Sequence, residues 1–547
     1  MKIAQIQQQN NNKMNNTPQF KGGVDSTLRF LATNQAIGAN LTDLGFMVIP
    51  RVATDAKRGP EACTETLRRE ASGTANHSLI GVYGAGAGCL AAAVMGIDRQ
   101  FGAKVNGMFA APETVNILAE LKAKQLKNKT TQLDYIKEVL SQVKIYNPKL
   151  EQQADEKGFV KLSKETIDEI AAIIDNAISN KEWEAWKDKK SSNSIEVVLN
   201  KITEKTGAQG NTILESSDKK IVSNTNLRTL LEDTFKISKS FNKNEVKKAF
   251  EDQIAKNGSL KDNAYISKLS KFMKARSIGG FILGSAIGMS IQPLNIYLTK
   301  RKTGSDGFVG VEGRSKDNST EFKLLKGAAA AGFGGLTLWT LGTGLKGFMS
   351  KMAFTGFFPS MEQLKGIYGL TIISRLLATR DKDELREALT KDTLGFLSWL
   401  VLGDVVNRMT AEKLDNSVMK RSKDVDKQNF FKRVFNSKLK TRDEVLIEAL
   451  ASEKISTVKK DGDKVIAKNL KEMMKDLDNM TNQKLKAETK KRLRTLNKAQ
   501  LAGYLFSGLV LGLGIPNLNI YLTNTLDKKR KAKLAENQNA QSEIAKA

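Results

Sequence analysis

The 547 residues carry 87 Lys and Arg against 59 Asp and Glu, a formal charge of +28 that draws anionic partners, lipid headgroups and nucleic acid alike. With 40% apolar and 27% charged residues the chain is neither collagen-like nor wholly disordered, and its length implies about three or four folding units. Two cysteines and one histidine exclude a disulfide framework and a four-ligand Cys/His metal site, so no metal or cofactor is expected, and a thiol-reducing compartment is the easier assumption.

Only eight prolines occur, and Lys, Glu, Ala, Leu and Ile fill the polar stretches, which favours an all-α fold. Residues 1–25 form a polar, low-complexity tail without the basic start and apolar run of a secretory signal, so no cleaved export peptide is expected. Residues 26–100 hold linker helices and the first of five apolar, glycine-rich blocks. That block, 79–97, has nineteen residues free of charge, close to the span of a bilayer core of about 30 Å. Residues 101–273 read as a polar helical insertion, with Ile167, Ile170, Ile174 and Ile178 forming a stripe at helical spacing.

A second apolar block, 277–299, lies in the segment 274–325, which closes on a turn-rich loop at 303–312. Residues 326–411 contain the third block, 327–349, and the fourth, 393–406, whose eleven uncharged residues before Asp404 suit a buried or re-entrant helix better than a full span. Residues 412–497 read as another helical insertion, with a capping-box start at Thr441 and Glu444. The fifth block, 501–523, lies in 498–523, and a basic tail follows over 524–547.

Residues 274–299, KARSIGGFILGSAIGMSIQPLNIYLT, align without a gap to 498–523, KAQLAGYLFSGLVLGLGIPNLNIYLT, at a constant offset of 224. Glycines 279, 284 and 288 match 503, 508 and 512, and LNIYLT recurs whole. A weaker echo pairs IPRVATDAKRGPE from Ile49 with ISRLLATRDKDE from Ile373, each followed by an Arg-Glu-Ala triplet at 69–71 and 386–388. The chain is therefore expected to be a duplicated unit. Gly84 with Gly88, Gly284 with Gly288 and Gly508 with Gly512 are each four apart, placing both members on one helix face where another backbone can approach.

The G-x-G-x-G run at 84–88 lacks the preceding strand and the spacing of a phosphate-binding turn, so helix packing is the better reading. His77 has no acid placed to orient it as a base, and Asp98 with Arg99 reads as a boundary where charge returns to water. Asp404 and Arg408, one turn apart, are either an intramembrane ion pair or a helix end at the interface, and the second is favoured. Pro293 and Pro516, with Asn295 and Asn519, occupy the matched positions at which unwound transporter helices bind substrate; helices that simply leave the membrane there are the simpler alternative.

Basic clusters flank the blocks: Lys300, Arg301 and Lys302 after the second, Lys528, Lys529, Arg530 and Lys531 after the fifth. They suit anionic lipid headgroups, and without interleaved aromatics they are poor nucleic-acid binders. Being basic at both ends, the blocks leave the orientation open.

Together these features predict an all-α integral membrane protein of an inner or plasma membrane, with an internal duplication and protruding helical insertions. The expected role is a non-enzymatic scaffold binding lipids and protein partners. A duplicated transporter or channel, with Asn295, Asn519 and Asp404 meeting near the midplane, is the first alternative. A soluble basic protein binding lipid surfaces or nucleic acid is the second.

Overall fold

In the computed structural model the described residues are 27–28, 31, 35–56, 59–95, 110–147, 154–155, 158–179, 191–207, 211–219, 221–304, 316–352, 360–421, 423–461, 464–519 and scattered positions from 521 to 532. The N-terminal tail, Asp98 and Arg99, most of the 303–312 loop and Lys529, Arg530 and Lys531 lie outside them, as does the side chain of His77.

The chain is mostly helical. Helix α1 (Gln35–Asp43) runs through a π turn (Leu44–Val48) into α2 (Ile49–Ala56), followed by α3 (Pro60–Ser78) and α4 (Ile80–Met95). A polar body then begins with α5 (Pro112–Asn128) and α6 (Gln132–Ser141), strands β1 (Val143–Tyr146) and β2 (Phe159–Lys161), α7 (Lys164–Ser179) and α8 (Ile195–Thr206). It closes with β3 (Asn211–Glu215), β4 (Val222–Asn226), α9 (Leu227–Phe241) and α10 (Asn244–Asn257). Its strands pair antiparallel in the order β2-β1-β3-β4, a sheet absent from the all-α expectation. The isoleucine stripe on α7 is buried as expected and packs into the core of this body.

Helix α11 (Ala264–Thr303) is continuous for 40 residues, through Pro293. It starts where the Asn263 side chain accepts from the Tyr265 and Ile266 amides, and it ends where Gly304, at φ +69°, turns left-handed. Helix α12 (Thr320–Thr340) begins in the polar residues before the third block and stops short of that block's end, at the left-handed turn of Gly342; α13 (Leu345–Lys351) follows. Helix α14 (Met361–Leu377) leads to α15 (Lys382–Leu397), which passes through a π turn (Ser398–Leu402) into α16 (Gly403–Leu414).

A second polar body holds β5 (Met419–Lys420), α17 (Lys423–Asp426), α18 (Phe430–Phe435), β6 (Lys438–Leu439), α19 (Arg442–Ser452), β7 (Val458–Asp461), β8 (Lys464–Ala467) and α20 (Leu470–Asp478). The capping box read from Thr441 and Glu444 is present at the start of α19. Helix α21 (Gln483–Leu509) continues through a π turn (Val510–Gly514) to Asn519. Pro516 has no N–H and its ring crowds the carbonyl four residues back, which the π turn accommodates.

The two polar bodies touch. Glu204 of α8 accepts from the Thr457 amide at 2.7 Å, and the Lys438 ammonium sits 5.3 Å from the centre of the Tyr146 ring. A third core joins the apolar helices around Phe281, Phe333, Tyr368, Phe396, Trp399 and Leu511.

Candidate functional site

Six glycines of the two LNIYLT-bearing helices lie so close to their neighbours that a side chain would press on them. A Cβ on Gly279 would stand 3.3 Å from that of Ala87, and on Gly284 it would stand 3.2 Å from the Tyr83 ring and 3.0 Å from Ile367 Cδ1. On Gly288 it would meet Thr371 Oγ1 at 2.5 Å. Helix α11 is thus pressed between α4 and α14. On α21, a Cβ on Gly503 would lie 2.6 Å from the Gly403 carbonyl oxygen, on Gly508 2.8 Å from the Phe46 ring, and on Gly512 3.2 Å from the Phe46 carbonyl. Gly84 and Gly88 lie in α4, and Gly88 is buried.

Another stripe along the same helix is apolar and open. Leu501, Leu505, Leu509 and Leu513 are 49–60% exposed at four-residue spacing along α21, and Ile278, Ile282 and Leu294 project in the same manner from α11. Leu41, Ile49, Val82, Leu90 and Val94 extend the apolar surface onto α1, α2 and α4. Scattered exposed leucines are ordinary, but a continuous stripe of them is rare on a soluble monomer. Ala264–Lys302 and Gln483–Asn519 are the two helices among the described residues that are long and apolar enough to cross a membrane.

The polar residues singled out in the sequence take separate places. Arg68 of α3 donates from Nε to Asn295 Oδ1 (3.1 Å) and from Nη2 to Thr299 Oγ1 (3.0 Å), while Asn519 Nδ2 donates to the Glu387 carbonyl on α15 (3.4 Å). Asp404 is exposed and pairs with Arg408 at 3.0 Å. Arg408 Nη1 also donates to the carbonyls of Val434, Phe435 and Ser437 at 3.0–3.2 Å. Among the described residues no hydrogen bond links Asn295, Asn519 and Asp404. Lys300, Arg301 and Lys302 are exposed on the last turn of α11, where cations also suit the helix dipole, and Lys528 is exposed.

A buried ionic cluster that the sequence reading missed joins α1, α2, α3, α14 and α15. Glu70 accepts from Arg51 Nη1 at 2.7 Å and Lys391 Nζ at 3.1 Å, and Arg375 Nη1 holds Asp392 Oδ1 at 2.7 Å. The Thr74 hydroxyl donates to Asp43 Oδ2 at 2.5 Å. Glu70 and Asp392 are thus paired with Arg51, Lys391 and Arg375, as buried charges require, while Asp43 holds the Thr74 hydroxyl. Beside it lies a cavity of about 20 Å³, room for roughly one water, bordered by Asp43, Arg69, Gln292, Tyr368 and Arg375. Asp43 Oδ1 and Arg69 Nε are buried there without a hydrogen-bond partner. The signal that could have found the cluster was in the weaker echo, where Arg51 and Arg375 occupy matched positions and Glu70 sits in the Arg-Glu-Ala triplet.

Among the described residues no group of three His, Cys, Asp or Glu could hold a metal ion. No family model, curated protein or solved structure matches the chain.

Proposed function

We propose that this chain is an integral membrane protein of two related units, which carries its two polar bodies on one face and serves as a non-enzymatic scaffold for protein partners. The observation that carries the membrane reading is the division of α21 into two faces. Gly503, Gly508 and Gly512 lie against other helices, while Leu501, Leu505, Leu509 and Leu513 form a stripe that is half or so exposed. Small residues inward and large aliphatics outward is the pattern of a helix packed in lipid, where burial is no longer what drives helices together.

The two-unit reading is supported by paired contacts as well as by the repeated sequence. Gly279 meets Ala87, and its counterpart Gly503 meets Gly403; carried over by the spacing of the two Arg-Glu-Ala triplets, Ala87 falls one residue from Gly403. Asn295 bonds to Arg68 on the helix bearing the first triplet, and Asn519 to Glu387 within the second. Gly284 packs on Ile367 of α14, and Gly508 on Phe46. Carried over by the echo at Ile49 and Ile373, Phe46 falls within one turn of Ile367. Gly284 of the first copy thus packs on α14 and Gly508 of the second on the π turn before α2, two segments that the echo brings close to register.

Each polar body lies between two apolar helices of its own unit, and the bodies touch through Glu204 and Thr457. A joined head on one face and basic helix ends on the other fit a platform better than a solute path. Anionic lipids are the proposed partners of Lys300, Arg301, Lys302 and Lys528, with an inner or plasma membrane as the location.

Alkaline carbonate extraction tests the membrane reading. The protein should stay in the pellet with lipid; release of a monodisperse protein into the aqueous fraction would support the soluble basic alternative and overturn the proposal. The buried ionic cluster between the units favours a second reading, a transporter of protons or small ions. Ion flux in reconstituted vesicles that is lost on Asp43→Asn would support it over the scaffold.

A further inference from the structure

Helix α18 bears two aromatic rings that the fold holds away from its own core. Phe431 and Phe435 are 63% and 57% exposed and, four residues apart, share one face. Phe430 is half-buried, lies edge-on to Phe431 with ring centres 5.6 Å apart, and has the Lys413 ammonium 5.9 Å from its own.

This segment is tied down on every other side. Val434 is fully buried, and the Asn429 side chain caps the helix by accepting from the Lys432 amide. Arg408 holds three carbonyls at its C-terminal end. Arg433 donates to Glu412 at 2.8 Å, and Arg421 binds both Glu412 and Asp426. So many anchors fix the backbone in place with both rings facing outward.

The anchors also fix its level. Arg408 lies one turn beyond Asp404, where the apolar stretch of α15 and α16 ends. Lys365 at the start of α14 lies within electrostatic reach of Asp404 and Arg408 and donates to the Thr340 carbonyl at the end of α12. At that same end Trp339 and Leu345 are 70% and 79% exposed. Exposed Trp and Phe at one level, with exposed Lys413, Lys427 and Lys432 around the helix, match the mixed chemistry of a membrane interface containing anionic lipid.

We propose that α18 is an interfacial wedge that seats Phe431 and Phe435 at the boundary between headgroups and acyl chains, with the neighbouring lysines against anionic phosphates. This rests on the membrane reading above, and the test separates the two. Nitroxide labels are placed at Phe431→Cys and, separately, Phe435→Cys in the full chain with Cys63→Ser and Cys89→Ala. The protein is reconstituted into phosphatidylcholine vesicles with or without a minority of phosphatidylglycerol. Leu509→Cys marks the apolar stripe and Lys248→Cys the head.

The wedge predicts an oxygen-to-nickel-chelate collision ratio at 431 and 435 several-fold above that at 248 and below that at 509, rising when phosphatidylglycerol is present. An aqueous ratio at 431 and 435 with a lipid ratio at 509 overturns the wedge alone. Shielding from both reagents also overturns it, because a protein partner or a second copy then covers the rings. An aqueous ratio at 509 overturns the membrane reading itself.

Discussion

A Cβ at Gly503 would collide with a backbone oxygen, that of Gly403 at 2.6 Å, and with the Asn407 side chain. A side chain could rotate away, but two helices would have to separate to free the carbonyl. Gly503→Ala should therefore destabilise the folded protein by about 1–3 kcal/mol, the usual cost of overpacking. Gly86 is a helical glycine with nothing within 4 Å of the position. Gly86→Ala should be neutral or stabilising by up to about 1 kcal/mol, from helix propensity alone. Thermal unfolding of both variants in one detergent decides the matter, and equal losses would mean that close approach at Gly503 contributes nothing. The glycine ladder stands out in the sequence because its spacing alone sets its face. Arg51, Glu70, Arg375 and Asp392 stand out only through the weaker echo, since each in isolation looks like a solvated charge on a linker helix and tertiary packing alone brings them together.

At the level of elements, the sequence reading located the long helices better than it judged their breaks. Pro293 was a candidate for unwinding, yet α11 passes through it, and the fourth block proved to be part of one helical run interrupted by a π turn. The four-stranded sheet went unread because its strands are only three to five residues long, too short for alternation to stand out from the surrounding helical pattern. Within that same polar body, Lys122 of α5 reaches across to the turns that begin α6 and end α9. It donates to Asn242 Oδ1 at 3.0 Å and Gln132 Oε1 at 3.4 Å. Burial, with the Lys247 charge adding to it, brings its ammonium down to about 8 from an ordinary 10.5.

Between those two values the unfolded chain binds more protons than the folded one, so stability rises with pH across the window, at a slope of at most about 1.4 kcal/mol per pH unit. Below about 8 both states hold the proton and the cost of burying the charge is constant. Lys122→Met removes the titrating group. The difference in head unfolding temperature between wild type and variant should therefore shift in favour of wild type from pH 8 to 10.5. A difference that stays constant across that range would show that Lys122 does not titrate there.

For the whole molecule, the proposed membrane reading together with how the polar bodies are strung sets which parts share a side. Residues 264–276 of α11 belong to the head, where Phe272, Met273 and Arg276 are fully buried. The remaining stretch, 277–303, at 1.5 Å per residue is about 40 Å long, sufficient for a hydrocarbon core of about 30 Å with its interface. Lys302 then emerges on the side away from the head. Because the two polar bodies touch, Lys248 in the first and Lys471 in the second must share a side. In sealed, uniformly oriented vesicles, a membrane-impermeant maleimide should therefore label Lys248→Cys and Lys471→Cys from one side and Lys302→Cys only from the other, each in a chain lacking Cys63 and Cys89. Labelling of all three from one side would make α11 a re-entrant element. Labelling of 248 and 471 from opposite sides would mean an inverted repeat, which the contact between Glu204 and Thr457 forbids, because one polar body cannot touch another through a bilayer.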